Sequence, residues 1–370
     1  MAFRILLSGG GTGGHLVPAL NLAAALKRAA PDVQVVLVGA RRGIEANVLP
    51  DSGWPYRLLP LEPLYRTKPL RNWRLLTSAP AVLGGLSRVF SELRPQLVVG
   101  TGGYASGPAV AWGVARGVTT AIQEQNAMPG LVTRALAPRV DQIHLGYPEA
   151  RARIRPGRDT EVFELGNPVA VGPVTRPFDW PEGRVVLAFG GSQGARAVND
   201  LLLDGLARVA AWPADVTLVW VAGPANLDSV AARVREASGP ARIRVVPFIP
   251  ELGGQLDRIS LALCRSGAMT CAELSAAGVP AILVPLPSSA GDHQRFNASA
   301  MVSAGAALMR EESSVTGSDL WSDMLELLDD ADHLSQMAAA SRGRGHPDAA
   351  DRIAAELISL AARERDRADD

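Results

Sequence analysis

Several things are scarce in this chain of 370 residues. It has two cysteines, Cys264 and Cys271. Two thiols at that spacing fit no zinc pattern and give no disulfide framework, which suits a reducing compartment. No apolar run reaches the roughly 20 residues that a bilayer crossing requires. Glycine and threonine interrupt the first apolar stretch almost at once, so no signal peptide is expected. Charge of one sign is also missing: Lys plus Arg and Asp plus Glu stand at 37 each. A balanced chain is no general nucleic-acid binder. What remains is a cytosolic protein, or one held peripherally on a membrane. Charged residues are 20% and hydrophobic residues 47%, enough to give two domains of ordinary size their own cores.

Glycine, by contrast, is concentrated in two loops. The first is Ser8-Gly9-Gly10-Gly11-Thr12-Gly13-Gly14-His15, between an apolar run at 3–7 and a helical pattern at 19–29. The second is Gly190-Gly191-Ser192-Gln193-Gly194-Ala195, between a run at 185–189 and a helical pattern from Val198. Strand, glycine loop and helix together let backbone N–H groups approach a phosphate at a helix N-terminus. Neither loop is a clean nicotinamide fingerprint, and neither is followed by the Gly-Lys-Ser/Thr of a Walker loop.

Further strand-like runs lie at 33–38, 97–100, 120–123, 142–145 and 162–163, then at 217–221, 243–248, 261–264 and 281–285. Several are apolar throughout, as parallel strands covered on both faces must be. Alternation with helical patterns predicts an α/β chain of two doubly wound, Rossmann-like domains facing a cleft. Breakers from Gly166-Asn167-Pro168 to Pro177 mark the hinge. The expected domains are 1–165 and 166–344, and a last amphipathic helix is expected at 348–362.

In the second half, Arg265-Ser266-Gly267-Ala268-Met269-Thr270-Cys271-Ala272-Glu273 follows a strand and opens a helix. Small residues there admit a ligand to the backbone, and Thr270 can offer N–H and hydroxyl to a phosphate. Glu273, one turn on, is either a ribose ligand or an exposed helix carboxylate. Gln294, in Asp292-His293-Gln294, has the chemistry to hydrogen-bond sugar hydroxyls.

An ordered set of motifs adds a resemblance. It comprises Gly10-Gly11-Thr12-Gly13-Gly14-His15 with Pro18-Ala19-Leu20, Gly102-Gly103-Tyr104-Ala105-Ser106-Gly107-Pro108, and Glu124-Gln125-Asn126-Ala127 with Gly130-Leu131. It continues with Gly166-Asn167-Pro168-Val169, the second glycine loop, the 265–273 stretch, and Asp292-His293-Gln294 with Asn297-Ala298. In this order, from residue 10 to about residue 307, the set resembles the MurG family. The family's members transfer N-acetylglucosamine (GlcNAc) to a lipid-linked N-acetylmuramoyl (MurNAc) pentapeptide in bacterial peptidoglycan synthesis.

The resemblance implies the GT-B fold, with the sugar nucleotide held mainly by the C-terminal domain and the acceptor by the N-terminal one. It implies inverting transfer of GlcNAc from UDP-GlcNAc to the 4-hydroxyl of MurNAc on undecaprenyl pyrophosphate, turning lipid I into lipid II. No cofactor and no metal are implied, in keeping with the lack of an Asp-x-Asp motif in a suitable loop. The final helix is expected to pack back on the N-terminal domain. The implied location is peripheral, on the cytoplasmic face of the plasma membrane.

Carried over residue by residue, Ile249 matches a backbone contact to uracil. Ala268, Met269 and Thr270 match the phosphate and ribose loop, and Glu273 the ribose ligand. Gln294 matches the sugar-hydroxyl contact and Ser192 a phosphate contact. Thr12, Gly13, Gly14 and Asn126 match the wall of the N-terminal site. One departure stands out. Many members read Gly-Asn-Pro-Val-Arg, with the arginine on the diphosphate, whereas this chain has Ala170. Arg176 or Arg196 could supply the charge, or the helix after Gly194 could carry more of it.

An inverting transfer needs a base beside the acceptor hydroxyl, and His15, an imidazole, titrates in a suitable range. The alternatives for His15 are to cap its loop or to hydrogen-bond the diphosphate. Glu124 and Tyr104 compete for acceptor binding or proton handling, or else stabilise their loops. His144, His333 and His346 fall outside every motif and read as structural or surface residues.

The stretch 64–94 mixes Arg66, Lys68, Arg71, Arg74, Arg88 and Arg94 with Leu70, Trp73, Leu75, Leu76, Val82, Leu83 and Leu86. It is either an interfacial patch for anionic lipid or an ordinary helix with its apolar side in the core. Three other functions compete. A UDP-GlcNAc 2-epimerase would not be expected to carry the first loop or the Gly-Gly-Tyr motif. A nicotinamide oxidoreductase would want an acidic residue at the end of the second strand, where Val36-Leu37-Val38-Gly39 stands. A sensor that has lost catalysis would have no need of Thr12, His15, Asn126, Glu273 and Gln294 together.

Overall fold

The structure is a computed structural model that describes residues 3–63, 69–170, 173–191, 194–237 and 241–369. It divides into two compact units. One comprises Met1–Val169 with Asp348–Asp370, the other Ala170–Pro347. The division falls four residues beyond the boundary expected at 165/166.

The first unit is built on a seven-stranded sheet in the order β3-β2-β1-β4-β5-β6-β7. The strands are β1 (Arg4–Ser8), β2 (Gln34–Ala40), β3 (Tyr56–Leu59), β4 (Leu97–Gly100), β5 (Thr119–Glu124), β6 (Gln142–Leu145) and β7 (Glu161–Glu164). All neighbours pair in parallel. Alternate side chains of β1 supply two different cores, because a strand points successive residues to opposite faces. Ile5 and Leu7 meet α1 (Gly13–Ala29) and the last helix, α12 (Ala349–Asp369), through Leu22, Leu26, Ile353 and Leu357. Leu6 meets α3 (Trp73–Leu93) and α4 (Gly103–Ala115) through Leu86, Ala109 and Val110. The remaining helices of this unit are α2 (Glu45–Val48) and α5 (Leu131–Leu136).

The second unit repeats the plan with six parallel strands in the order β10-β9-β8-β11-β12-β13. These are β8 (Arg184–Phe189), β9 (Val216–Val221), β10 (Arg242–Val246), β11 (Leu261–Cys264), β12 (Ala281–Leu283) and β13 (Ala307–Met309). Its helices are α6 (Arg196–Leu206), α7 (Leu227–Glu236), α8 (Ala268–Ala277), α9 (His293–Ser303), α10 (Gly317–Asp329) and α11 (Ala331–Gly343). Trp212 and Trp321 pack edge to face with ring centroids 5.3 Å apart in its core.

Each sheet reverses its winding at one place, between β1 and β4 in the first unit and between β8 and β11 in the second. At such a switch point the connections leave in opposite directions and open a crevice at the strands' carboxyl ends. Both glycine loops start there, after β1 and after β8.

Candidate active site

At the first switch point the loop after β1 passes close to the loop after β4. Gly102 and Gly103 have φ of +90° and +72°. A Cβ on Gly103 would lie 1.9 Å from the Gly10 carbonyl oxygen and 2.8 Å from the His15 ring carbon Cδ2. Glycine is therefore required twice over, for the backbone angle and for the contact. His15 sits in the first turn of α1 with its ring against this pair. Thr101 Oγ1 donates to the His15 carbonyl at 2.8 Å. Tyr104 opens α4 and lays its ring on Gly11, where a Cβ would stand 2.5 Å from Cε1. Thr12 is the N-cap of α1, and its side chain makes no capping bond. Thr12 and Gly14 are exposed, and Gly13 is half-buried.

Glu124 ends β5 and is 3% exposed. Its Oε1 accepts from the Asn126 backbone N–H at 3.0 Å and from Asn126 Nδ2 at 3.2 Å. Its Oε2 accepts from Gly130 N–H at 2.8 Å and Thr133 Oγ1 at 2.5 Å. Four protein donors thus surround this carboxylate, and it in turn fixes Asn126. Behind them Gln125 Nε2 donates to the Thr101 carbonyl at 2.8 Å, and Asn167 Nδ2 to the Gln125 carbonyl at 2.9 Å. The Gly-Asn-Pro segment thereby locks the floor of the first site. His144 is fully buried and stacked on Phe163, and burial lowers its pKa to about 3 against the opposing pull of Glu161. It is a neutral core residue.

At the second switch point Gly267 caps α8, which carries Ala268, Met269 and Thr270 in its first turn. Ala268 and Met269 are each 8% exposed. Ser266 Oγ donates to the Gln294 carbonyl at 2.8 Å, and Asn297 Nδ2 to the Ser266 carbonyl at 3.2 Å. The start of α9 is so tied to the loop after β11. Gln294 Oε1 accepts from Leu286 N–H at 3.0 Å. What Gln294 offers a ligand is therefore Nε2, a donor. Glu273 lies against the backbone at Gly253, where a Cβ would fall 2.8 Å from its carboxyl carbon. Desolvation raises the Glu273 pKa to about 7. A carboxyl held in such surroundings has few donors of its own and gains from hydroxyls that a ligand brings. Ile249 is buried, between β10 and the turn at Leu252–Arg258.

The first residue of the 265–273 stretch, to which the motifs assigned no role, holds this edge together. Arg265 is 8% exposed, donates to the Val284 and Pro285 carbonyls at 3.1 and 3.2 Å, and pairs with Glu312. It joins the carboxyl ends of β11, β12 and β13. A basic residue among small ones, directly after a buried strand, was the available signal.

The expected residues therefore form two groups, one in each unit. Ser192, with Gln193, lies outside the described residues. Ala170 is exposed. Of the two cations considered in its place, Arg196 is the first residue of α6 and stands 3.7 Å from Asp200, while Arg176 stands 3.9 Å from Glu251. Among the described residues no three His, Cys, Asp or Glu side chains are grouped to hold a metal ion. Asp330, in an Asp-Ala-Asp triplet, instead caps α11 by accepting from His333 N–H at 2.9 Å.

Among the described residues no helix is long and apolar enough to cross a membrane. The beginning of α3 is nonetheless unusual for a surface. Leu70 just before it is 91% exposed, and Trp73 and Leu76 are 59% and 79% exposed. Further along, the same helix buries Val82, Leu86 and Val89. Arg66, Lys68 and the side chain of Arg71 lie outside what the structure describes.

Known proteins share both units. The glycosyltransferase family 28 N-terminal domain matches residues 5–145, and the family's C-terminal domain matches residues 185–353. A protein of Chlorobaculum parvum is 38% identical over 368 residues, covering 96% of this chain and 99% of its own. One of Salinibacter ruber is 37% identical over 370 residues, covering 98% of each. Both are named UDP-N-acetylglucosamine–N-acetylmuramyl-(pentapeptide) pyrophosphoryl-undecaprenol N-acetylglucosamine transferase. The crystal structure of Acinetobacter baumannii MurG superposes with a TM-score of 0.76 at 25% identity, over 96% of this chain and 99% of that one. A structure titled as a putative UDP-N-acetylglucosamine 2-epimerase from Listeria monocytogenes shares the fold at a TM-score of 0.66 and 17% identity, covering 95% of each chain. Fold alone does not separate transferase from epimerase.

Proposed function

From the premise that this chain belongs to glycosyltransferase family 28, we propose that it makes lipid II. It transfers GlcNAc from UDP-GlcNAc to the 4-hydroxyl of MurNAc on undecaprenyl-pyrophosphoryl-MurNAc-pentapeptide, an inverting step of peptidoglycan synthesis. The observation that carries this reading is 38% identity to a transferase of that name over 96% of the chain.

The second unit binds the donor in this reading. Uracil meets the backbone at Ile249. The ribose hydroxyls donate to Glu273, whose carboxyl is short of donors. The diphosphate takes the N–H groups and hydroxyl at Ala268, Met269 and Thr270, with Ser192 in the second glycine loop. Arg196, opening the helix after that loop, is the better placed of the two cations to stand in for the arginine missing at Ala170. Gln294 donates through Nε2 to the sugar hydroxyls.

The first unit binds lipid I. Thr12, Gly13, Gly14, Tyr104 and Asn126 contact the acceptor, and His15 accepts the proton of the 4-hydroxyl. As the new C1–O4 bond forms, the bond from C1 to the UDP oxygen breaks and UDP leaves with the electron pair. Glu124 supports Asn126 rather than moving a proton, since four protein donors occupy its oxygens. Neither UDP-GlcNAc nor lipid I requires a cofactor for this displacement.

An acceptor with a polyprenyl tail stays in the bilayer. The exposed Leu70, Trp73 and Leu76, with Arg74 beside them, suit an anionic membrane surface. The enzyme then works peripherally on the cytoplasmic face of the plasma membrane.

The direct test supplies purified protein with lipid I and radiolabelled UDP-GlcNAc. Label in the lipid fraction with stoichiometric UDP release is expected. Absence of transfer with intact lipid I, or epimerisation of the donor instead, overturns the reading.

A further inference from the structure

The first glycine loop is held by a residue with no part in the scheme above. Glu45 opens α2 and is fully buried. Its Oε1 accepts from Gly11 N–H at 2.9 Å and from Ala40 N–H at 3.1 Å. Its Oε2 is buried with no hydrogen-bond partner. Three glycines make room for the side chain. A Cβ would lie 1.8 Å from Oε1 at Gly10, 1.9 Å from Oε2 at Gly43, and 2.7 Å from the Glu45 Cβ at Gly39. A buried carboxyl is costly unless hydrogen-bonded, and here three glycines leave the space that one occupies.

Gly11 is thereby fixed on two sides. Its N–H goes to Glu45, and the Tyr104 ring lies where a side chain would be. Its φ is +89°. The chain then runs through Thr12 and Gly13 directly into the turn that carries His15. Glu45 also ties this loop to the end of β2 through Ala40. The amide at Gly11 is consequently taken by an acceptor from the protein itself, so it is not a donor for phosphate.

We propose that Glu45 is a positioning residue for the acceptor side of the transfer: its carboxylate holds the Gly11 amide and sets the loop that presents Thr12 and His15. The inference rests on the transferase reading. It separates Glu45 from the donor residues, all of which belong to the other unit.

Glu45→Ala and Glu45→Gln in the full-length protein test it. Glutamine keeps an acceptor oxygen at the same reach, and alanine does not. In Glu45→Ala, kcat should fall about tenfold or more and the KM for lipid I should rise, with UDP affinity within about twofold of wild type. Glu45→Gln should return kcat to within about threefold of wild type. A second readout does not depend on activity: deuterium exchange in a peptide spanning residues 9–16 should speed up in the alanine variant and not in the glutamine one. The proposal is overturned by an alanine variant with wild-type kcat and exchange. It is equally overturned if UDP affinity and Tm fall together with kcat and glutamine does no better, for that is a fold defect. If wild-type protein makes no lipid II, the transferase reading fails, and the exchange comparison alone decides whether Glu45 holds the loop.

Discussion

In the first unit the glycine loop after β1 is bonded directly by a carboxyl side chain, whereas in the second a neutral amide ties the helix that follows the loop to the end of β9. Asn199 on α6 donates from Nδ2 to the Ala222 carbonyl at 2.9 Å and accepts from Trp220 Nε1 at 2.9 Å. The loop presses on the same strand end, since a Cβ on Gly194 would lie 2.4 Å from the Ala222 oxygen. Both loops feed a helix at a switch point, yet they are held differently. The first turn of α6 carries no acidic side chain, and the positive end of a helix suits an anion. Glu45 instead lodges a carboxyl group against the first loop, accepting from Gly11 N–H. Topology alone makes the two sites look interchangeable. The contacts beneath the two loops differ, and in the proposed function the second unit takes the diphosphate and the first the acceptor sugar.

The largest break in this comparison should come from His15. His15→Ala should cut kcat about 10²–10⁴-fold, the usual cost of losing a general base. UDP affinity, assigned to the other unit in the proposed function, should stay put. The acidic limb of the kcat pH profile should vanish with the imidazole. A loss below tenfold with the limb retained would make His15 a binding residue and leave the proton to another group.

Glu273→Ala should do the reverse. Hydrogen bonds to a charged group are worth about 1.5–3 kcal/mol, so the KM for UDP-GlcNAc should rise roughly tenfold or more. The KM for lipid I should change little. If lipid I is affected as strongly as the donor, the division of labour between the units is wrong.

The Glu273 carboxyl should also give the proposed donor site a pH dependence of its own, separate from that of His15. Desolvation raises its pKa to about 7, so it is largely protonated below that pH. Ribose hydroxyls donate to the ionised form and pull the pKa back down, so nucleotide binding releases a proton. UDP should bind less tightly as pH falls from 8 to 6, by about tenfold at most for one such group. For the unliganded protein the sign is opposite. A raised carboxyl pKa costs stability as pH rises from the ordinary carboxylate range through 7. Calorimetry in buffers of different ionisation enthalpy measures the proton release. Glu273→Gln with an unchanged pH slope would remove this group as its source.

Much of this comparison could be read along the chain, and its decisive part could not. The two loops, the strands that feed them and the Glu273 and Gln294 motifs are local patterns, and periodicity or motif order exposes them. The sheet edges β3 and β13 went unseen. Tyr56–Leu59 carries an exposed arginine, and Ala307–Met309 is three residues long, so neither makes a sustained apolar run. Glu45 was invisible for another reason. It lies 34 residues from the amide it holds, and only the fold brings β2's end over the loop. The absence of an acid within Val36-Leu37-Val38-Gly39 spoke against a nicotinamide site. The acid comes after that strand and turns back onto the loop. Gly39 and Gly43, both within six residues before that glutamate, were the trace it left.

The smallest expected effect concerns the outside of the first unit, where α3 begins as a surface and ends as core. Val82, Leu86 and Val89 are already paired with the sheet, so their half of the helix needs no membrane. Leu70, Trp73 and Leu76 are exposed well beyond what isolated surface hydrophobes need, and Arg74 lies beside them with its guanidinium 5.8 Å from the Trp73 ring centroid. A basic residue near an anionic bilayer is worth about 1 kcal/mol, so Arg74→Ala should weaken sedimentation with phosphatidylglycerol vesicles about fivefold at low salt. The difference should shrink as salt screens the charge. Trp73→Ser with Leu76→Ser should weaken binding in a way that salt does not abolish, since apolar insertion is not screened. Neither change touches the buried half of α3, so Tm and UDP affinity should hold. Vesicle binding equal to wild type in both variants would reduce the start of α3 to an ordinary exposed turn, and the first unit, proposed to bind lipid I, would need another membrane face.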